Sequence, residues 1–445
     1  MFKKILIANR GEIAVRVIRT VKEMGIKSVA IYSDIDKESK HVELADEAYP
    51  IGDNYPHKSY LNLDKIKEAI LNTGCDALHP GYGFLSENPD CARLCEDLGI
   101  TFIGPNSILM DKLSNKFAAK KILMENDLPT IPGSEKIVKN DNDLLDNAKK
   151  LGFPLLLKAA YGGGGKGIRE VYNESDLFKI FQSAKQEASV AFKKDDMYLE
   201  KPIKNARHIE VQIVSDNFGN IISLGERDCS IQRRRQKLLE ESPSPILSET
   251  ERKFLYDLAK AIVKAFNYTG VGTIEFLYDG KNFYFMEINK RIQVEHPVTE
   301  MIFGVDLVRE QIKIAANKKL ELPLKNMIGS SLHSIECRIN AENPLDFYPS
   351  PGIIKKLYIP GGYNVRVDTA IQCGSFIPPY YDSLIAKVIV VGKSREEARV
   401  RMLRALDELI IDGIETTILF HKNILNSKDF INNNYNIDYI DGLWK

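Results

Sequence analysis

Several features that would mark a membrane, secreted or nucleic-acid-binding protein are missing from the sequence. No apolar run approaches the ~20 residues that span a bilayer. Lys plus Arg and Asp plus Glu each number 61, and the resulting net charge of zero argues against a nucleic-acid or membrane-surface partner. The six cysteines are scattered, only Cys91 and Cys95 are close, and no second Cys/His pair completes a zinc site. We therefore expect free thiols, buried or half-buried.

The N-terminal segment, MFKKILIANRGE, does not have the pattern of a signal peptide. Asn9, Arg10 and Glu12 stand where the apolar region of such a peptide would be. The segment instead predicts a first strand, and we expect a cytoplasmic protein with no membrane partner. With 445 residues, 44% hydrophobic and 27% charged, the chain has the composition of a soluble globular protein of two to four domains.

The first hundred residues alternate strand and helix patterns. Strands are predicted in KKILIA, KSVAIYS, CDALHPG and ITFIGP, and helices between them in segments such as EIAVRVIRTVKEMG and LDKIKEAILNTG. This alternation predicts a doubly wound parallel sheet. The first turn, ANRGEIA, has one glycine and no G-x-G-x-x-G, which argues against a dinucleotide site there.

The remaining chain predicts a second unit and a mixed C-terminal region. One helix over DKLSNKFAAKKILMENDLPTIPG ends in a Pro/Gly turn. Strands are predicted in DMYLEKPI, RHIEVQIVSD and NIISLGERDCSIQRR, followed by a helix over SETERKFLYDLAKAIVKAFNY. The last hundred residues mix short strands with a helix over REEARVRMLRALDELII. Since we find neither repeats nor a low-complexity linker, we expect the domains to pack into one body.

The stretch FMEINKRIQVEHPVTEM, residues 285–301, alternates polar and apolar residues. In an extended chain alternate side chains point to one face, which here would carry the following polar groups: Glu287, Asn289, Arg291, Gln293 and Glu295. A half-exposed antiparallel strand also alternates. Such a strand usually carries Thr, Ser or Lys outside, whereas this one offers five long hydrogen-bonding groups. The pattern favours a functional face.

A glycine tract in KAAYGGGGKG lies between two predicted strands, FPLLLKAA and GIREV. A simple hairpin needs only two or three such residues. Four glycines flanked by Lys158 and Lys166 suit backbone wrapping of a triphosphate. The tract is not a P-loop, because Gly167 stands where Ser or Thr should follow the lysine. We favour phosphate binding over a plain loop.

Glu275 and Glu287 lie on two predicted neighbouring strands, GTIEFLYDG and NFYFMEINKR, joined by a short turn. Two carboxylates on one face of adjacent strands repel each other unless a cation lies between them. Mg²⁺ takes one or two carboxylates together with substrate phosphates, and Asn289 offers a third oxygen. The alternative is a pair of solvated charges, which the strongly apolar and aromatic strands disfavour.

Eleven segments taken together resemble biotin carboxylase, an enzyme of the ATP-grasp superfamily, over essentially the whole chain. They occur in one order: IANRGEIAVR, HPGYGFLSEN, IGP, SNKFAAKK, KAAYGGGGKGIR, RHIEVQI, ERDCSIQRRRQK, GTIEF, NKRIQVEHPVTEM, HSIECRINAE and PPYYDSLIAK. The resemblance implies an α/β fold (α+β overall). A Rossmann-like doubly wound domain would span 1–115, an ATP-grasp region 116–315 with a mobile glycine-rich lid at about 131–203, and a mixed α/β domain 316–445.

The resemblance also implies roles for residues that match the family's motifs. The residues matched to ATP binding are Lys116, Lys158, Gly163, Gly164, Gly165, Glu200, Lys201, Pro202, Ile203, His208, Gln232, Arg235, Glu275, Leu277 and Glu287. Those matched to the metal are Glu275, Glu287 and Asn289. Those matched to bicarbonate are Lys237, Arg291, Gln293 and the backbone of Val294, and those matched to biotin are Tyr82 and Arg338. The catalytic set is Lys237, Arg291, Glu295 as general base, and Arg338, which stabilises the biotin enolate.

The implied reaction is ATP-dependent carboxylation of biotin. Bicarbonate attacks the γ-phosphoryl group of ATP held with Mg²⁺ or Mn²⁺, and the carboxyphosphate formed breaks down to CO₂ and phosphate. The phosphate removes the ureido proton of biotin, and the enolate attacks CO₂. Because the sequence has no Ala-Met-Lys-Met site, we expect a separate biotin carboxyl carrier protein, carboxyltransferase subunits and, from the family, a homodimer.

Two rival functions stay open alongside this one. Another ATP-grasp ligase, joining a carboxylate to an amine, would share the glycine tract and metal carboxylates but has no need for Arg291, Glu295 and Arg338. A nucleotide-sensing subunit should have lost Glu295 or a metal ligand. Within the favoured function we expect the first half-reaction of acetyl-CoA carboxylase, in fatty acid synthesis, with pyruvate or another acyl-CoA as the alternative acceptor.

Three residues depart from the family pattern. Arg235 stands where histidine is more frequent, near the nucleotide, and Tyr161 stands in the glycine tract where glycine or glutamate is common. Lys290 stands where threonine is usual, between two expected metal ligands. Strand alternation predicts that Lys290 points away from Glu287 and Asn289, with its stem along an apolar face and its ammonium reaching an acid or solvent.

Overall fold

The computed structural model describes residues 1–161, 167–192, 194–322 and 332–443. Within this part of the chain, every helix is too short or too polar to cross a membrane. Of the six free cysteines, Cys373 is exposed and the other five are buried.

The N-terminal domain is a five-stranded parallel sheet in the order β3-β2-β1-β4-β5. Its strands are β1 (Lys4–Ile7), β2 (Lys27–Ser33), β3 (Glu47–Gly52), β4 (Ala77–His79) and β5 (Thr101–Phe102). Its helices are α1 (Gly11–Glu23), α2 (Lys40–Leu44), α3 (Leu63–Thr73) and α4 (Pro89–Asp97), with 3₁₀ turns at Asp34–Asp36 and Pro56–Lys58. The predicted doubly wound parallel sheet is confirmed, because apolar runs such as 5–8 are buried on both faces.

The helix predicted over residues 111–133 is wrong in its extent. Two helices occupy this region, α5 (Ser107–Ser114) and α6 (Lys116–Glu125). Asn115 separates them, because its backbone is extended and its side chain accepts a hydrogen bond from the Ala118 N–H at 2.9 Å. Asparagine favours this N-cap position over a helix interior.

A small subdomain follows, built on a three-stranded antiparallel sheet in the order β7-β6-β8. It comprises α7 (Asp141–Leu151), β6 (Leu155–Ala159), β7 (Ile168–Val171), α8 (Glu174–Phe192) and β8 (Met197–Glu200). The glycine tract joins β6 to β7, and its residues 162–166 lie outside the described part of the chain. The two strands predicted on either side of the tract are present.

One eight-stranded antiparallel sheet runs from the centre of the chain into its C-terminal region, in the order β13-β12-β9-β10-β11-β14-β19-β17. Its central strands are β9 (Arg207–Ser215), β10 (Ile221–Arg233), β11 (Gln236–Ser242), β12 (Gly270–Tyr278) and β13 (Phe283–Asn289). Helices α9 (Glu249–Phe266), α10 (His296–Phe303) and α11 (Leu307–Ala315) belong to the same part of the chain. The capping box of Ser248 and Glu251 starts α9.

The C-terminal region completes this sheet with β14 (His333–Asn340), β17 (Val365–Thr369) and β19 (Leu384–Gly392). It adds the short pairs β15 (Gly352–Ile353) with β18 (Phe376–Ile377), and β16 (Lys356–Tyr358) with β20 (Ile410–Asp412). Its helices are α12 (Arg395–Glu408), α13 (Ile418–Asn426), α14 (Lys428–Ile431) and α15 (Tyr439–Leu443). Because β11 pairs directly with β14, residues 100 positions apart in sequence become neighbours on one sheet face.

Three fully buried histidines make the stability of the fold pH-dependent. Burial lowers the pKa of His41, His79 and His421 to about 4. As pH falls from about 6.5 the unfolded chain binds protons that the folded chain does not, so each histidine removes about 1.4 kcal/mol of stability per pH unit until about pH 4. We expect the urea midpoint to fall over this range. His41→Gln should reduce the slope of unfolding free energy by one histidine's share, and parallel curves would contradict this.

Candidate functional site

A row of four charged residues crosses four neighbouring strands of the large sheet. Arg227 on β10 pairs in register with Glu210 on β9, Glu210 with Glu275 on β12, and Glu275 with Glu287 on β13. Residues opposite each other in antiparallel strands share a face, so three carboxylates lie side by side. Arg227 is fully buried and its Nε donates to Glu210 Oε1 at 2.5 Å. The other end of the row therefore keeps two carboxylates for cations.

Lys237 lies in the middle of this acidic row. Its Nζ is 2.6 Å from Glu210, 2.8 Å from Glu275 and 2.7 Å from Glu295. Burial opposes the charge, but these carboxylates outweigh burial and raise the pKa of Lys237 well above its ordinary value. One permanent ammonium thus joins a predicted metal ligand to the predicted base.

The polar stretch of residues 287–295 forms one network, although it is not one strand. β13 ends at Asn289, earlier than alternation predicted, and the chain continues irregularly to α10. The side-chain amides of Asn289 and Gln293 each donate to Glu275 Oε1 at 2.8 Å. Arg291 donates to Asn289 Oδ1 and to Gln293 Oε1, both at 3.1 Å. These residues converge because they bond to one another around Glu275.

Glu295 and Arg338 form the far side of the network. Glu295 is fully buried, and its Oε2 accepts from Arg338 at 2.9 Å. Arg338 also donates from Nε to Glu240 Oε1 at 2.6 Å. Burial would raise the pKa of Glu295, but Lys237, Arg338 and Arg227 outweigh burial and hold it well below its usual range. Glu295 is therefore an anion clamped between two cations.

The predicted phosphate-binding lysines are each paired with a predicted ATP-site carboxylate. Lys116 Nζ is 2.5 Å from Glu287 Oε2, and Lys158 Nζ is 2.6 Å from Glu200 Oε2. Glu200 also pairs with Lys120 at 3.0 Å. Phosphate oxygens and a metal ion could replace these internal pairs, because each lysine and carboxylate would gain a stronger partner.

The other predicted ATP residues are spread over the surrounding strands. Lys201, Pro202 and Ile203 follow β8 directly and are half-buried. His208 lies opposite Leu277 in the β9–β12 pair, and its Nε2 is 3.2 Å from Glu275 Oε2. Gln232 lies opposite Lys237 in the β10–β11 pair.

Two predicted residues lie apart from the network. Arg235 is exposed in the turn between β10 and β11, in the left-handed region at φ 66°. The hydroxyl of Tyr82 donates to Glu12. Gly163, Gly164 and Gly165 lie outside the described residues.

Sequence reasoning missed four residues that contact this network: Glu210, Arg227, Glu240 and Lys387. A signal for the first was present, because RHIEVQIV alternates His208, Glu210 and Gln212 in the way that drew attention to residues 287–295. Lys387 gave no such signal, since it stands alone in the apolar strand LIAKVIVVG. Its Nζ donates to the carbonyl of Val294 at 2.9 Å.

Lys290 points away from the acidic row, as strand alternation predicted. Its Nζ donates to Ser114 Oγ at 3.0 Å and to the Met110 carbonyl at 3.3 Å, at the end of α5. The expectation that its ammonium reaches an acid or solvent is wrong, because the residue is only 5% exposed and these neutral oxygens take its protons. Burial lowers the pKa of Lys290.

We predict that Lys290→Thr changes the Mg²⁺ requirement of the enzyme less than threefold. An ammonium about 5 Å from Mg²⁺ would cost roughly 6–7 kcal/mol at an effective dielectric of 20, whereas Lys290 is held on the opposite side of the backbone. Magnesium titration of the ATPase rate in both proteins checks this. A hundredfold tighter requirement in the variant would show that Lys290 faces the metal.

Three family models together match most of the chain. "Biotin carboxylase, N-terminal domain" matches residues 1–110 and "Biotin carboxylase C-terminal domain" matches residues 336–442. "Carbamoyl-phosphate synthase L chain, ATP binding domain" matches residues 115–323 between them.

Full-length relatives and structures also match. "Biotin carboxylase 1" of Bacillus subtilis is 51% identical over 444 residues, covering 99% of this chain and 98% of the relative. The crystal structure of a biotin carboxylase–βγ-ATP complex from Campylobacter jejuni has a TM-score of 0.96 at 47% identity, covering 99% of each chain. The biotin carboxylase domain dimer of Hydrogenobacter thermophilus 2-oxoglutarate carboxylase, with MgADP, ADP and bicarbonate, has a TM-score of 0.95 at 49% identity, covering 99% of this chain and 98% of that one.

Proposed function

The chain belongs to the biotin carboxylase family, and from that premise we propose how its residues perform the ATP-dependent carboxylation of biotin. The enzyme is an ATP-dependent ligase that uses bicarbonate, ATP and biotin as substrates. The observation that carries the residue assignments is Lys237, whose ammonium bonds Glu275 and Glu295 at once. A cation at this point suits a small anion such as bicarbonate between the nucleotide phosphates and a base.

The nucleotide would lie beside the row of carboxylates. Lys116 and Lys158 would exchange Glu287 and Glu200 for phosphate oxygens, and the backbone of residues 201–203 would read the adenine edge. Gly163, Gly164 and Gly165 would close over the phosphates. His208, Gln232, Leu277 and Arg235 complete the proposed nucleotide contacts. Positioning and charge neutralisation carry most of a phosphoryl transfer, which suits a site built from lysines rather than nucleophiles.

The oxygens of Glu275, Glu287 and Asn289 fit a hard divalent cation. Glu275 and Glu287 are in-register neighbours, and Asn289 lies opposite Thr273 one pair further along. Two opposed carboxylates repel each other unless cations lie between them, and oxygen ligands are those that Mg²⁺ prefers. Bound Mg²⁺ supplies charge neutralisation for the phosphates. Lys116 and Lys237 balance the same carboxylates in the structure described here.

Bicarbonate would bind to Lys237, Arg291, Gln293 and the Val294 backbone, next to Glu295. There its oxygen attacks the γ-phosphoryl group, forming an O–P bond as ADP leaves. As an anion held by Lys237 and Arg338, Glu295 is a weak base. Substrates that take over Lys237 and Arg338 would remove this stabilisation and raise its basicity, so that Glu295 accepts the bicarbonate proton only in the loaded site.

Biotin would bind between Tyr82 and Arg338. Carboxyphosphate decomposes to CO₂ and phosphate, and the phosphate takes the ureido proton. The enolate oxygen then bears negative charge that the Arg338 guanidinium can neutralise. A carrier protein would present this biotin and carboxyltransferase subunits would use the product, in keeping with relatives that are subunits of multi-subunit carboxylases.

Several finer features remain proposals. We propose the domain boundaries 1–115, 116–315 and 316–445, a lid at about 131–203, a homodimer and a cytoplasmic location. We also propose the acetyl-CoA carboxylase reaction, with other acceptors as alternatives, because the relatives include a 2-oxoglutarate carboxylase.

A bicarbonate-dependent ATPase assay, with and without free biotin, tests the function. We expect ADP release that requires bicarbonate and Mg²⁺, and ¹⁴C-bicarbonate transfer to biotin. ATP cleavage that instead requires a carboxylate and an amine would indicate another ATP-grasp ligase. Nucleotide binding without turnover would indicate a sensing subunit.

A further inference from the structure

Lys387 is a fully buried lysine that the catalytic scheme leaves without a role. It lies on β19 directly opposite Arg338 on β14, so the two side chains share one sheet face. Its Nζ is 3.1 Å from Glu12 Oε1 and 2.9 Å from the Val294 carbonyl. Asp368, opposite it on β17, is 4.0 Å away.

The Val294 contact fixes the backbone that carries the proposed base. The carbonyl of Val294 and the N–H of Glu295 belong to one planar peptide, so a hydrogen bond to that carbonyl orients both residues. Glu295 stands at the N-cap of α10 without a side-chain cap bond, which leaves this peptide as a point where α10 is anchored. A charged donor gives a stronger and more directional bond than a neutral one.

Glu12 connects the same lysine to the N-terminal domain. It lies near the start of α1, is 6% exposed, and accepts a hydrogen bond from the Tyr82 hydroxyl. Asn9 holds the backbone at this position, because its Nδ2 donates to the Tyr82 carbonyl at 2.7 Å. Burial opposes the charge on Lys387, but Glu12, Glu336 and Asp368 outweigh burial and raise its pKa.

We propose that Lys387 is a positioning residue that holds the Val294–Glu295 peptide in its bicarbonate-binding orientation, and that Glu12 couples this peptide to Tyr82. The chain of contacts runs from Tyr82 through Glu12 and Lys387 to Val294. It joins the proposed biotin and bicarbonate sites beneath Arg338. The inference rests on the proposed function, because it assigns a role to residues that support its bicarbonate and biotin sites.

Lys387→Met tests the proposal, since methionine matches the stem but cannot donate. We expect KM for bicarbonate to rise at least tenfold and kcat of the bicarbonate-dependent ATPase to fall at least tenfold, while KM for MgATP changes less than twofold. Arg395→Met is the matched control. It also removes a buried C-terminal cation, paired with Glu241 at 2.6 Å, but one outside the site, so both KM values should stay unchanged.

A second variant separates positioning from folding. Lys387→Met leaves Glu12 as an uncompensated buried charge, whereas Glu12→Gln with Lys387→Met removes both charges. The double variant should regain most of the thermal stability lost by the single variant but keep the raised KM for bicarbonate. A normal KM in the double variant, or failure of the double variant to fold, would overturn the proposal. An inactive wild-type protein would instead overturn the proposed function.

Discussion

Glu295→Gln is expected to abolish bicarbonate-dependent turnover by about 10²–10⁴-fold, the usual loss when a general base is removed. Glutamine preserves the size of a fully buried side chain. It cannot take a proton from bicarbonate, and its amide N–H₂ would face one of the two cations that clamp the carboxylate, Lys237 and Arg338. Steady-state ATPase rates at saturating bicarbonate measure the loss.

Nucleotide binding should survive this substitution within about threefold, because the proposed ATP contacts lie on other residues. Glu336→Gln is the matched control. Glu336 is also fully buried and near Arg338 in sequence, but neither of its carboxylate oxygens has a hydrogen-bond partner in the described part of the chain. Burial raises the pKa of Glu336 well above its usual range, so the amide replaces a carboxyl that is already neutral. Wild-type turnover by Glu295→Gln would remove Glu295 from its assigned role.

The fold was predictable where local signals determine it. Alternating strand and helix patterns located the parallel N-terminal sheet, and the capping pattern at Ser248 marked the start of α9. The break between α5 and α6 was missed, because a single capping asparagine, Asn115, outweighs the helical propensity on both sides of it. Strand β11, Gln236–Ser242, was missed because its apolar residues alternate too weakly.

The site was predictable in composition but not in its wiring. Alternation placed Glu287 and Asn289 on one face, and this face holds although the strand ends at Asn289. No sequence pattern could show that Lys237 bonds three carboxylates, since those come from β9, β12 and the start of α10. Register between strands far apart in sequence is a tertiary property. The same holds for Lys387 and Val294, 93 residues apart.

This wiring sharpens what removal of Arg338 should do. Arg338 bonds Glu240 and Glu295, so alanine leaves two buried carboxylates without their shared cation. Burial already raises the pKa of Glu240 to about 7, so without Arg338 it takes up a proton at neutral pH. Glu295 keeps Lys237 at 2.7 Å and stays ionised. The proposed bicarbonate site should therefore remain usable.

Arg338→Ala is therefore expected to separate the two half-reactions. Biotin carboxylation should fall by at least 10³-fold, because the enolate loses its cation, while slow bicarbonate-dependent ATP hydrolysis falls less than tenfold. Parallel measurement of ¹⁴C-carboxybiotin and ADP gives both rates. In Arg338→Ala with Glu240→Gln no unpaired carboxylate remains at position 240, so stability should recover while carboxylation stays lost. Equal loss of both rates in the double variant would mean that Arg338 acts on bicarbonate or carboxyphosphate rather than on biotin.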